Sequence, residues 1–158
     1  DYADYWYRKT FGDDVAEELT AIKHEYYRLG TSGKPEHVHA IDYTREEQNQ
    51  RINDYKAIAD RVEALKASIP ADRQDAYFEL VEYPVRCAYE MNVKTFRAAQ
   101  SMELARAGQR DTALQYAAEA RQAYRIIRDL TSKYNTGIAG GKWNGVMSMK
   151  PHNDVASI

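Results

Sequence analysis

The chain has 158 residues, enough for one domain with a real core and too few for two typical ones. Its formal charge is −2, from 22 basic and 24 acidic residues well mixed along the chain, which excludes the basic face a nucleic-acid surface needs. The longest apolar runs are a few residues long, so the sequence contains no membrane span, no polybasic anchor and no signal-peptide core, and the single cysteine, Cys87, excludes an intrachain disulfide framework and a cysteine-built zinc site. Alanine is abundant, proline scarce, and 13 tyrosines outnumber every other aromatic. That composition predicts an all-α fold, helix on helix, with Tyr rings in the seams and their hydroxyls at the rim.

In chain order, the first element is a short aromatic helix over Asp1 to Thr10, carrying Tyr2, Tyr5, Trp6 and Tyr7 and ended by Phe11-Gly12. A second helix starts at Asp13 or Asp14, whose carboxylates suit a helix N-terminus, and buries the stripe Val15, Leu19, Ile22, Tyr26 and Leu29. Gly30 to Gly33 and Pro35 break it, and Lys34 to Tyr43 has no sustained period and reads as a loop. Thr44 and Glu47 fit a capping box that opens a third helix through Ile52, Tyr55, Ile58 or Ala59, Val62, Leu65 and Ile69. Pro70 ends that helix and is suited to open the next.

From about Asp72 an apolar period runs through Tyr77, Leu80 or Val81, Pro84 or Val85, Ala88, Met91, Phe96, Ala99 and Met102 to Gly108. It predicts one helix of roughly 35 residues, about 50 Å long at 1.5 Å per residue. Pro84 lies inside it and must kink it, because the ring clashes with the Leu80 carbonyl and removes a backbone bond. A fifth helix runs from Asp111 through Leu114, Ala117, Tyr124, Ile127, Leu130 and Tyr134, stopping at Asn135 to Gly137. Residues 138–158 then read as an extended tail or linker that packs back through Trp143. The expectation is an antiparallel bundle of four to five helices over residues 1–137, made of two helical hairpins.

Few residues invite chemistry. His37 and His39 lie two apart on a loop, without the i,i+4 partners on a neighbouring helix that a zinc site needs, so neither metal nor cofactor is expected. Glu18, Glu25, Glu46, Glu47, Glu79, Glu82, Glu90 and Glu103 are carboxylates of the kind that glycoside hydrolysis uses in pairs, but no signal selects a pair, and most fall on the polar side of a stripe. Cys87 reads as a small core residue just past the proline, not as a nucleophile. Gly140-Gly141-Lys142 lacks the spacing and the hydroxyl residue of a phosphate loop. The aromatic set Tyr2, Tyr5, Trp6, Tyr7 and Trp143 is either a sugar-stacking platform or a satellite core tying the chain ends to the bundle; the core reading is favoured, since aromatics at helical spacing are usually buried. A third reading is that neighbouring domains cover it.

Three stretches together carry a resemblance. They are the Leu80-Val81-Glu82-Tyr83-Pro84-Val85-Arg86 element leading to Asn92, the Gly141-Lys142-Trp143-Asn144 segment followed by Met147, and the aromatic helix before Phe11-Gly12. In this order and separation they resemble the helical domain of the glycoside hydrolase family 115 α-glucuronidases, closely over about two dozen residues and loosely over most of the chain. The resemblance implies a non-catalytic scaffold and dimerisation module of a secreted, extracellular or periplasmic enzyme that removes glucuronic acid or its 4-O-methyl ether from xylan. It implies contacts with other domains of the same polypeptide, a homodimer, and xylan as the substrate of the parent enzyme. The catalytic acids belong to other domains, so no catalytic residue is expected here. Tyr83, Pro84, Asn92 and Trp143 fall on matching positions and carry architecture; Lys142, Trp143 and Asn144 are the weak candidates for substrate contact. After Met147 the pattern departs, with Pro151-His152-Asn153-Asp154 in place of a His-Ile-Gly-Tyr run. The first residue, Asp1, is not Met, which reads as a processed protein or an excised fragment. The alternative is a stand-alone carbohydrate-binding or protein-interaction bundle.

Overall fold

The computed structural model describes residues 1–147. Among these the chain is mostly helical and contains no strand: α1 (Tyr2–Phe11), α2 (Asp13–Thr31), α3 (Arg45–Leu65), α4 (Gln74–Tyr77), α5 (Tyr83–Arg106) and α6 (Arg110–Ser132). A π-helical turn, Phe78–Glu82, joins α4 to α5 without leaving helical backbone, so Gln74 to Arg106 is one continuous run and the bundle has five helices. No helix among the described residues is long and apolar enough to cross a membrane.

Local chemistry fixes the ends. Gly12, at φ 103°, donates its N–H to the Arg8 carbonyl and turns the chain directly from α1 into α2, where Asp13 and Asp14 occupy the first turn. The expected capping box is present: the Thr44 hydroxyl accepts from the Glu47 N–H, and the Glu47 carboxylate accepts from the Thr44 N–H. The segment between α2 and α3 is not a plain loop. It contains two 3₁₀ turns, Pro35–His37 and Ala40–Asp42, and buries Val38.

Pro84 is accommodated by a change of register. The Tyr83 N–H reaches back five residues to the Phe78 carbonyl, so the ladder slips by one just ahead of Pro84. Pro84 then stands at the start of α5, where a missing N–H costs little. Pro70 does not begin a helix itself; it precedes the 3₁₀ turn Ala71–Arg73.

α2 packs on α1 and α3, α3 on α5, and α5 on α6, an antiparallel sequence of neighbours. The main core holds Tyr7, Phe11, Leu19, Ile22, Tyr55, Val62, Tyr77, Val81 and Val85. A second cluster, at the junction of the π turn and the end of α6, holds Phe78, Cys87, Ile127, Leu130, Tyr134 and Ile138. A third, under the α2–α3 connection, joins Val38, Ile52, Val93, Phe96 and Ala123.

The stripes differ from expectation at the far end of α5 and the start of α6. Met102 and Leu114 are exposed, and Leu104 and Ala113 are buried instead. α6 thus turns alanines (Ala113, Ala120, Ala123) to α5, which lets the two helices approach closely where larger residues would hold them apart.

The expected extended tail is compact as far as it is described. A π turn, Lys133–Gly137, ends α6, and a 3₁₀ turn, Ala139–Gly141, follows at once, with further turns to Met147. Ala139, Gly140, Gly141 and Gly145 all take positive φ, which curls the segment instead of extending it. Residues 148–158, including the Pro151-His152-Asn153-Asp154 stretch, lie outside the described residues.

Candidate functional site

The most ordered polar arrangement lies around Asn92, whose side chain is fully buried in α5. Its amide nitrogen donates to the Ala88 carbonyl at 2.7 Å, and its oxygen accepts from Arg51 Nε of α3 at 2.8 Å. Arg51 is itself 5 % exposed. The rest of its guanidinium closes the open C-terminal end of α2, donating to the Leu29 carbonyl at 3.3 Å, the Ser32 hydroxyl at 2.7 Å and the Gly33 carbonyl. The rings of Tyr43 and Tyr55 lie 5.5 and 5.2 Å from its central carbon. A buried cation is thus held by neutral oxygens, the negative end of a helix and two aromatic faces, a set that offsets the cost of desolvation without a carboxylate.

Next to it a second network crosses from α3 to α5. Gln100, 1 % exposed, donates to Gln48 Oε1 at 2.8 Å and accepts from Arg97 at 2.6 Å; Gln48 in turn donates to the Ala40 and Tyr43 carbonyls. These bonds tie the connection between α2 and α3 to the centre of the bundle.

Tyr83 and Trp143 meet in the second cluster. The Tyr83 ring lies 4.7 Å from that of Tyr134, its hydroxyl is 3.2 Å from Thr131 Oγ1, and Trp143 and Met147 pack against the same group. Three contacts hold the returning segment in place: the Asp75 carboxylate accepts from the Ala139 N–H at 2.9 Å, and the Asn135 side chain both donates to the Met147 carbonyl and accepts from its N–H. Trp143 is half-buried, with its indole N–H buried and without a partner among the described residues. Lys142 is exposed, its ammonium 4.6 Å from the centre of the Trp143 ring, and Asn144 is exposed beside it. Of the expected candidates, the structure therefore brings Lys142, Trp143 and Asn144 together on one turn, and Tyr83 with Trp143 in one cluster, while Asn92 works elsewhere with Arg51.

The aromatic set is divided. Tyr7 is buried in the main core, Trp6 packs against that core edge-to-face with Tyr7 and Phe11, and Trp143 belongs to the second cluster. Tyr2 and Tyr5 are exposed, at 81 % and 61 %. Tyr2, Trp6, Lys23, Tyr27 and Leu80 line a shallow groove of about 480 Å³ between α1, α2 and the π turn, with Lys23 Nζ 4.8 Å from the Tyr27 ring centre.

The carboxylates fall into two groups. Glu18 pairs with Arg61, Glu25 with Arg28, Glu103 with Arg45, and Glu47 caps α3. Hydrogen bonds from the partner guanidinium hold Glu18 and Glu25 below the usual carboxylate range, and the Thr44 amide and hydroxyl do the same for Glu47. Glu82 and Glu90 depart from the expected polar face: both are buried. Glu82 lies between Lys66 Nζ at 3.0 Å and Arg86 at 2.8 Å. Burial pushes Glu90 up to about 7, against a smaller opposing effect of Arg86. Burial likewise pushes the Cys87 thiol up to about 12, which suits a core residue. His37 and His39 are exposed, and no group of three His, Cys, Asp or Glu that could hold a metal ion occurs among the described residues.

No family model matches the chain, and no curated protein matches it significantly. Sequence reasoning missed Arg51, and it named Glu90 among the carboxylates without a signal for its burial. Arg51 falls at the edge of the α3 stripe, one residue before Ile52, and Glu90 one residue before Met91 in the α5 stripe; that adjacency is the available signal.

Proposed function

We propose that the chain is a non-catalytic helical scaffold module of a secreted α-glucuronidase of the glycoside hydrolase family 115 type, packed against other domains of its polypeptide and contributing to a homodimer. The parent reaction would be hydrolysis of α-1,2-linked glucuronic acid or 4-O-methylglucuronic acid branches of xylan. The observation that carries this reading is the use made of the residues on which the resemblance rests. Asn92 is spent inside the bundle on Arg51 and Ala88, Pro84 is absorbed by a π turn, and Trp143 folds the returning segment onto Tyr83 and its neighbours. Residues so engaged set backbone geometry and leave no free polar atom of Asn92 for a substrate. The carboxylates support it too, since Glu18, Glu25, Glu47, Glu82 and Glu103 are each committed to a cation or a cap.

A second reading, a bundle that binds carbohydrate or protein on its own, is favoured by the groove of Tyr2, Trp6, Tyr27 and Lys23, where flat rings and a cation face solvent. One experiment separates them. The purified chain, and a longer polypeptide containing it with its flanking coding sequence, are incubated with glucuronic-acid-substituted xylo-oligosaccharides. Release of the acid by the longer protein alone supports the scaffold reading. Release by the isolated chain, lost on changing one of its own Asp or Glu residues, would overturn it.

A further inference from the structure

Glu90 and Arg125 line the same groove, of about 560 Å³, along the seam between α5 and α6, with Ile52 of α3 on its far wall. The ion pair of Arg97 with Glu119, at 2.9 Å, fixes the register of these two antiparallel helices. Two turns back along α5 from Arg97 stands Glu90, and two turns on along α6 from Glu119 stands Ile126, with Arg125 beside it. Glu90 is 8 % exposed and makes no hydrogen bond or ion pair among the described residues. Arg125 is exposed, and its Nε and Nη2 both donate to the neutral Gln122 Oε1, at 3.1 and 2.7 Å. A buried carboxyl without a partner thus shares a groove with a guanidinium whose only partner among the described residues is a weak one.

While Glu90 carries its proton the arrangement holds, because a neutral acid tolerates burial that a carboxylate does not. Burial pushes Glu90 up to about 7, against a smaller lowering by Arg86. Once the proton has left to water, the carboxylate requires a cation, and most of those around it are engaged. Arg86, one turn earlier on α5, pairs with Glu82 at 2.8 Å; withdrawing it would strip a buried carboxylate whose second oxygen already lacks a partner among the described residues. Arg97 pairs with Glu119, donates to Gln100 and Asn49, and lies over Tyr116. Lys94, one turn later on α5, does not line the groove. On the α3 side, Lys56 and Asp60 pair with each other at 2.6 Å, and the Tyr89 phenol, pushed up by burial, stays neutral. Arg125 is the cation of the groove with the least to lose.

We propose that Arg125 is the internal counterion of Glu90: when the carboxyl ionises, the guanidinium leaves Gln122, turns into the groove and pairs with it, bridging α5 and α6. A charge-assisted bond to a buried carboxylate outweighs two bonds to an exposed neutral amide. The groove is open while Glu90 is protonated and bridged once it is ionised, and the outer face of α6 gives up a cation in the same step. No group from outside the chain takes part, so the switch stands apart from the glucuronidase reading.

The test follows two NMR signals as the pH is raised from about 4 to about 9, the Glu90 carboxyl carbon and the Arg125 Nε nitrogen. In the parent the Arg125 signal should move with the Glu90 midpoint, and in Glu90→Gln it should stay still. Arg125→Met should raise the Glu90 midpoint by about one pH unit, a tenfold loss of acidity. Gln122→Ala, which releases the guanidinium, should lower it, while Arg128→Met, the loss of another exposed cation of α6, should leave it almost unmoved. Arg125, Gln122 and Arg128 are all exposed, so these variants are expected to fold. An Arg125 signal that ignores the Glu90 titration, or an equal rise of the midpoint in Arg125→Met and Arg128→Met, would contradict the pairing. So would a rise in Lys94→Met with none in Arg125→Met, which would make Lys94 the counterion.

Discussion

Arg51 Nε donates to Asn92 Oδ1 at 2.8 Å, across 41 residues of sequence and between two helices, with both side chains buried. This bond joins the end of α2, the middle of α3 and the middle of α5, because the same guanidinium holds the Leu29 and Gly33 carbonyls. Asn92→Ala leaves a buried charge one acceptor short and the Ala88 carbonyl one donor short. The expected loss is about 3 kcal/mol of unfolding free energy in urea. Asn92→Asp keeps the acceptor and adds a countercharge, so it is expected to lose less. An Asp variant as unstable as the Ala variant would show that the countercharge to Arg51 does not offset the lost donor to the Ala88 carbonyl.

Gly33 has φ 142°, and a Cβ built on it would lie 2.5 Å from the Tyr43 hydroxyl. That hydroxyl donates to the Ser32 carbonyl, and the Tyr43 ring faces Arg51. Gly33→Ala is expected to cost roughly 2 kcal/mol, from backbone strain and displacement of the ring together. In the Tyr43→Phe background the same change should cost less, since the clash is gone and the strain remains. Thermal unfolding of the four proteins of this cycle gives the coupling directly. Strict additivity would contradict the contact.

Glu90 gives the stability a pH dependence of definite sign. Its acid form is favoured in the folded state, with the pKa raised from 4.5 to about 7. The folded protein therefore holds more protons than the unfolded chain between these values, so the contribution is full below 4.5 and is lost as the pH rises through 7. The size is roughly 3 kcal/mol at 1.36 kcal/mol per pKa unit. Glu18, Glu25 and Glu47 act in the opposite sense, in a lower window: their pKa values are depressed, and their contribution disappears as the pH falls through those lowered values. Urea midpoints at pH 5 and pH 8 should differ less in Glu90→Gln than in the parent. An unchanged difference would remove Glu90 from the account.

Much of the fold is legible in the sequence because it rests on local rules. The capping box at Thr44, the turn at Gly12, and the stripes Val15–Leu19–Ile22 and Tyr55–Ile58–Val62 each follow from neighbours a few residues apart. The π turn before Pro84 does not, since proline forbids one bond without stating how the ladder will be relieved. The burial of Arg51, Glu82 and Glu90 is equally hidden, because charged residues beside an apolar stripe usually reach for water. The exposure of Leu114 has the same kind of origin: the end of the bundle provides nothing for it to cover. The curl of residues 138–147 is not legible in the sequence, because glycines permit both curled and extended forms and the choice is made by Asp75, Asn135 and the Tyr83 cluster.

Trp143 is where the scaffold reading and a sugar-binding reading require opposite results, so it tests the central claim most directly. Its ring is half-buried against the cluster of Phe78, Leu130 and Tyr134, while Lys142 and Asn144 beside it are exposed. If the residue anchors the end of the bundle, Trp143→Ala should cost about 2 kcal/mol, somewhat below the range for fully buried aromatic rings. At this chain length that is a fall of roughly 5 °C in the thermal midpoint. Titration of the parent and the variant with acidic xylo-oligosaccharides should show no binding that depends on the indole. A midpoint within about a degree of the parent, together with xylo-oligosaccharide binding that the parent has and the variant lacks, would contradict the account.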